Sequence, residues 1–135
     1  MKKSVLIFLV FFQAIFCFGQ DNPTHQSIIS LIANKEQYVD KKIILKGFLN
    51  LEKHDMALYL SKDDYLNLNI KNAIFLFMSM DDMNKLSIGK MNRKYVSITG
   101  TFFVPKFKDQ NMYDNYSGVL KNIEYVEVIE QRKNK

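Results

Sequence analysis

The chain is poor in the residues from which most catalytic and metal centres are built. It has one cysteine, Cys17, two histidines, His25 and His54, and no tryptophan in 135 residues. Cys17 falls within the first nineteen residues, so the remainder has no disulfide, thiolate ligand or cysteine nucleophile. A zinc ion would need both histidines plus carboxylates from distant segments, and no ligand spacing joins them. The chain contains no G-x-x-x-x-G-K-[ST] phosphate loop, no G-x-G-x-x-G turn and no G-x-S-x-G nucleophile elbow. The run Asp63 to Asn69 lacks the sixth-position glycine and closing glutamate of an EF-hand and reads as a polar turn. Two prolines and five glycines leave no linker that would divide the chain. These absences point away from an enzyme, a metal site or a cofactor.

Charge of one sign is scarce as well. The formal charge is +5, and removing residues 1–19 takes away Lys2, Lys3 and no carboxylate, which lowers it to +3. The charges are interspersed except in the tail, at Arg132, Lys133 and Lys135. Nucleic-acid binding draws its affinity from a clustered basic stripe, and this surplus gives that function little support.

What the sequence does have in concentrated form stands at its start. Lys2 and Lys3 precede an unbroken apolar run from Val5 to Phe12, and Gly19 precedes Gln20 and a polar stretch. This is the three-part layout of a secretory signal peptide, with cleavage expected near Gly19/Gln20. Gln13 interrupts the run before the roughly 20 apolar residues that a transmembrane helix needs. Phe16 ahead of Cys17 is too bulky for lipoprotein processing, so no membrane anchor is expected after cleavage. The expected product is one periplasmic or secreted domain over residues 20–135, with its ordered part at about 24–130.

Within that domain, Ile28, Leu31 and Ile32 recur at helical spacing between Ser27 and Ala33, with Ser27 or Thr24 as cap, and Tyr38 follows as a core plug. Ile43 to Leu49 reads as a first strand with a bend at Gly47. A turn over Glu52 to Asp55 leads to a second strand, Met56 to Leu60, whose inward set is Met56, Leu58 and Leu60. Ser61 to Asn72 reads as a surface loop, Ala73 to Met78 as the third strand, and Met80 to Leu86 as a helical turn. Tyr95 to Phe103 is the fourth strand, with Val96, Ile98, Gly100 and Phe102 on its buried face. Lys106 to Gly118 reads as a long exposed loop, and Val119 to Ile129 as a last strand, irregular near Lys121 and Asn122.

Five strands with a helix before the first and a helical segment between the third and fourth have the element order of an OB-fold, an all-β, five-stranded Greek-key barrel. A five-stranded sandwich satisfies the same order. Asn34 to Ile43 reads N-K-E-Q-Y-V-D-K-K-I, similar to the N-P-E-x-Y-x-G-K-x-V that precedes strand one in many exported bacterial OB-like domains. Ala57 to Tyr65, Asn92 to Val96 with Gly100-Thr101-Phe102, and Tyr116-Ser117-Gly118 with Asn122-Ile123 continue the pattern. The chain thus resembles small exported bacterial proteins with an OB-fold-like domain of the tRNA-anticodon type. The resemblance implies a fold and export, not an activity. Lys35 stands where the pattern has proline, and Lys41 and Arg93 where it often has glycine, so a positive φ at either would carry strain.

OB-folds hold ligands across strands two and three, between the loops that join strands one to two and four to five. That face would gather His54, Tyr59, Lys62, Tyr65, Phe75, Phe77, Lys106, Phe107, Lys108, Tyr113 and Tyr116. Aromatics interleaved with lysines suit stacking on sugar or base rings, yet the same rings serve equally as packing. The expectation is an exported, non-enzymatic binding module for an envelope or extracellular partner, whether glycan, small molecule or protein. A protein-occluding interaction or immunity-type role is the alternative, and a single-stranded nucleic-acid binder ranks third.

Overall fold

The computed structural model describes residues 22–105 and 112–129. Six strands form one mixed sheet with short helices between them: β1 Thr24–Gln26, β2 Lys42–Glu52, β3 Asp55–Tyr59, β4 Ala73–Leu76, β5 Tyr95–Phe103 and β6 Val119–Val128. The helices are α1 Ile28–Ala33, α2 Lys35–Tyr38, α3 Lys62–Leu66 and α4 Met80–Lys85. The proposed signal, residues 1–19, lies outside the described residues. Among those described, no helix is long and apolar enough to cross a membrane.

The strand pairings return to their start. β2 pairs antiparallel with β3, β3 antiparallel with β4, β4 parallel with β6, β6 antiparallel with β5, and β5 antiparallel with β2. The sixth strand is β1, which lies parallel to β2 at Ile43 to Leu45. It departs from the expected count of five, because Thr24 to Gln26 carries no apolar pattern and is a strand only through backbone pairing to β2.

One long edge of β2 is therefore shared, by β1 at its start and by β3 from Phe48 to Glu52. Gly47 sits where the partner changes. A Cβ there would meet the Tyr59 carbonyl oxygen at 2.5 Å and Leu58 Cγ at 2.8 Å, so close backbone approach requires glycine. The other edge pairs with β5 as far as Phe48, and Asn92 to Lys94 continue it: Arg93 N–H donates to Leu49 O at 2.8 Å, Leu49 N–H to Lys94 O at 2.9 Å, and Leu51 N–H to Asn92 Oδ1 at 2.9 Å. Arg93 holds φ at 60° to make this turn. In the lead-in to β2 the left-handed residue is Asp40, at 61°, and not Lys41; Asp40 is also the residue that aligns with the glycine of N-P-E-x-Y-x-G-K-x-V, which corrects the expectation placed on Lys41.

Alternation along the strands separates two apolar clusters. Ile43, Leu45 and Leu49 of β2, Leu58 of β3, Ile74 and Leu76 of β4, Val96, Ile98 and Phe102 of β5, and Leu120 and Val126 of β6 share the main core with Ile28 and Leu31 of α1. Each such side chain, fully buried, contributes about 2 kcal/mol. On the opposite face of β2, β3 and β4, Phe48, Ala57, Tyr59 and Ala73 form a smaller cluster that Tyr65, Ile70, Tyr95 and Tyr116 pack against. The expected inward set of β3 is therefore incomplete. Leu58 is fully buried but Met56 and Leu60 are only half-buried, while Ala57 and Tyr59 are buried from the other side.

The segment Ser61 to Asn72, expected as a loop, contains α3 and a 3-10 turn at Ile70–Asn72. Ser61 caps α3 by accepting from the Asp64 N–H at 3.0 Å, and its hydroxyl donates back to Asp64 Oδ2 at 2.6 Å. The Asn69 and Asn72 side-chain amides donate to Asp64 Oδ1 at 2.9 and 2.8 Å. This one carboxylate thus ties the segment together. The loop before β6 is also less exposed than expected: Met112–Asn115 form a 3-10 turn, and Ser117 and Gly118 are buried. The irregularity in β6 lies at Asn122, which has φ 50° opposite a register shift between Thr99 and Thr101.

Candidate functional site

The outer face of β3 and β4 is held by a carboxylate. Asp55, first residue of β3, accepts from the Tyr59 hydroxyl and the Asn50 side-chain amide, both at 2.8 Å to Oδ2, and from the Tyr116 hydroxyl at Oδ1. Asn50 also donates to the Asp55 backbone carbonyl at 2.8 Å, while its own buried Oδ1 has no partner among the described residues. Burial first, and then the hydrogen bond to Asp55, pushes both tyrosine hydroxyls well above the usual phenol range. A neutral phenol donating to a carboxylate is the arrangement this favours.

Beside this group, the Tyr65 hydroxyl donates to Glu52 Oε1 at 3.0 Å, and Arg93 pairs with the same oxygen at 2.6 Å while its guanidinium lies 5.6 Å from the Tyr65 ring centre. Desolvation and then the bond to Glu52 raise the Tyr65 pKa. Phe75 packs between Tyr113 and Tyr116, with ring centres 5.7 and 5.4 Å away.

The expected binding residues are thus divided. Tyr59 has 0% exposure and Phe75 is buried, so neither ring is open to stacking by a ligand. Both faces of β3 and β4 are covered, one by the main core and the other by tyrosines from α3 and the β5–β6 connection, and this buries rings that alternation alone would leave outward. Tyr65 and Tyr116 are half-buried and bonded to acids. His54 is exposed at the β2–β3 turn. Lys62 is exposed in another hollow, beside Arg93. Lys106, Phe107 and Lys108 lie outside the described residues.

Phe77 and Tyr113 remain as the accessible pair. Phe77 follows β4 and is 62% exposed. With Tyr113, Phe103, Val119 and Lys121 it lines a cavity of about 140 Å³. Lys121 Nζ stands 4.5 Å from the Phe103 ring centre, a cation–π distance. Tyr113 also lines a neighbouring cleft of about 260 Å³ with Tyr116, Lys35 and Lys71. A ring seated against Phe77 would meet an apolar wall with one ammonium at its edge.

Reading the sequence missed Asp55, Asn50, Phe103 and Lys121. Asp55 was legible in principle, since it shares its strand face with Ala57 and Tyr59. Lys121 could not be placed without the register shift in β6.

No family model matches the chain, and no curated protein matches it. Among solved structures it is similar to a crystal structure from Leishmania major Friedlin assigned as an aspartyl-tRNA synthetase, at 12% identity and a TM-score of 0.47. The match covers 93% of this chain and 26% of that one.

Proposed function

We propose that this chain is an exported, non-enzymatic module of OB-like barrel form that binds a ring-bearing ligand, a glycan or small molecule, at the face around Phe77 and Tyr113. The observation that carries the reading is the exposure of Phe77 beside Tyr113, Phe103 and Lys121 in a shaped cavity. Among the described residues of this face, Tyr59, Tyr65, Phe75 and Tyr116 are packed or bonded, whereas the Phe77 ring is open. Sugar and heteroaromatic rings recognise such surfaces by stacking, with a lysine to orient a polar substituent. The cycle of pairings from β2 back to β2 supports the barrel, and residues 1–19 support export.

Thermal stabilisation of the purified protein by a panel of glycans and small molecules tests this reading. A stabilising compound should lose its effect in Phe77→Ser with Tyr113→Ala. A folded double variant that is stabilised to the same extent would remove this face from the site. Export is tested separately, since protein recovered from the envelope fraction should begin at Gln20.

Met80, 71% exposed three residues beyond Phe77, favours a second reading in which a partner protein covers both side chains. One stoichiometric protein recovered with the wild type and lost with Phe77→Ser would support it.

A further inference from the structure

A second hollow, of about 280 Å³, opens where β5 begins and β6 ends. Its floor is aromatic: the Phe48 and Tyr95 rings meet edge to face with centres 5.4 Å apart. Val128 and Ile129 form one wall, and Lys62, Arg93 and Lys94 stand around it. Among the described residues, no carboxylate lines it. Arg93 is paired to Glu52 at 2.6 Å, but no carboxylate among the described residues pairs with Lys62 or Lys94.

The donors are arranged in a way that surface charge alone does not produce. The Tyr95 hydroxyl accepts from the Lys62 backbone N–H at 3.0 Å, and its own proton has no acceptor among the described residues. That hydroxyl is fixed in place with a hydrogen left to give. Arg93 reaches its position from a left-handed backbone, at φ 60°, that costs about 1 kcal/mol in a residue other than glycine. Two lysines with no carboxylate partner among the described residues, Arg93 and an anchored phenol therefore border one hollow with a ring-sized apolar floor.

We propose that this hollow binds a tetrahedral oxyanion carried on a single ring or short apolar body, as in a phosphate or sulfate monoester. The anionic oxygens take the Lys62, Lys94 and Tyr95 donors, and the ester's apolar part lies against Phe48, Tyr95 and Val128. Charge-assisted bonds to such oxygens are the strong ones, and the volume lies near the lower limit for small-molecule sites, which restricts the body to about one ring. The site is separate from the Phe77 face, so either reading stands or falls without the other.

The test is titration of the purified protein with phenyl phosphate and phenyl sulfate, with inorganic phosphate and phenol as controls. At least one ester should bind more tightly than both controls, and added sodium chloride should weaken it. Lys62→Ala with Lys94→Ala removes two exposed side chains and should weaken the ester about tenfold or more, a change of about 1.4 kcal/mol. In the wild type, amide resonances of Arg93, Lys94 and Tyr95 should shift on addition. Equal ester affinity in the folded double variant, phenol binding as tightly as both esters, no binding of either ester, or shifts confined to Phe77 and Tyr113 would each overturn the proposal.

Discussion

Tyr116 donates its hydroxyl proton to Asp55, a residue 61 positions earlier in the chain, and so fastens the segment ahead of β6 to the first residue of β3. The same carboxylate holds Tyr59 and Asn50. Four residues from three places in the sequence, β2, β3 and the segment ahead of β6, are thereby tied together on one outer sheet face.

Asp55→Ala should be the costliest polar substitution on this face. It leaves the Tyr59 hydroxyl and one N–H of the Asn50 amide, both residues having 0% exposure, without their carboxylate acceptor, while Asn50 keeps its bond to the backbone carbonyl of residue 55. Unpaired buried donors cost about 1–3 kcal/mol each, so a loss of about 3 kcal/mol is expected in urea denaturation. Tyr116→Phe removes a single donor and should cost about 1 kcal/mol. Equal effects of the two changes would mean that Tyr59 and Asn50 find other partners.

The raised tyrosines set an alkaline limit. Tyr59 and Tyr116 have pKa values above the ordinary 10.0, so the folded chain holds these protons more tightly than the unfolded one. Their contribution to stability is therefore complete below the unfolded value and declines as pH rises from there toward the folded values. Phenolate absorbance should show these two tyrosines ionising only as the fold is lost. Early ionisation of all seven tyrosines in folded protein would contradict this.

Leu68 offers a gain in stability. It is 73% exposed with φ at 53°, a conformation that its side chain disfavours and that no buried contact repays. Leu68→Gly should raise stability by about 1 kcal/mol, and Leu68→Val should lower it. Thermal melts of the two variants, with shifts of opposite sign, are the check.

Gly47→Ala should destabilise by about 3 kcal/mol or more, because backbone at the Tyr59 carbonyl cannot turn aside as a side chain would. Gly89→Ala is the control, since a Cβ at Gly89 meets nothing within 4 Å. Comparable losses at the two positions would remove close packing as the reason for Gly47.

Strands that bury one face strongly were legible in the sequence. Tyr95 to Phe103 has the expected limits, and the helix after Ser27 begins at its cap, where the Ser27 hydroxyl accepts from Ser30 N–H at 2.9 Å. What was not legible depends on partners distant in sequence. β1 has no apolar signal of its own and exists through the β2 edge, and Tyr59 is buried because Tyr65 and Tyr116 cover it from elsewhere. The capping box Ser61 to Asp64 was readable, but the polar composition of the segment masked it. Of the expected site, Phe77 and Tyr113 are brought together, whereas Lys62 lines a different hollow, where its backbone N–H at the start of α3 bonds the Tyr95 hydroxyl.

The shared strand β2 also bears on how the chain is made. Its pairing with β5 joins Lys42 to Phe48 with residues up to Thr101, so the cycle of strands cannot close until most of the domain is available. Pairings of such long sequence separation are slow to form. A chain stopped before Tyr95 carries that edge of β2 as open backbone, the kind of edge that joins to another chain. Fragments ending there should associate with one another, and the fold should respond to C-terminal truncation as a single unit.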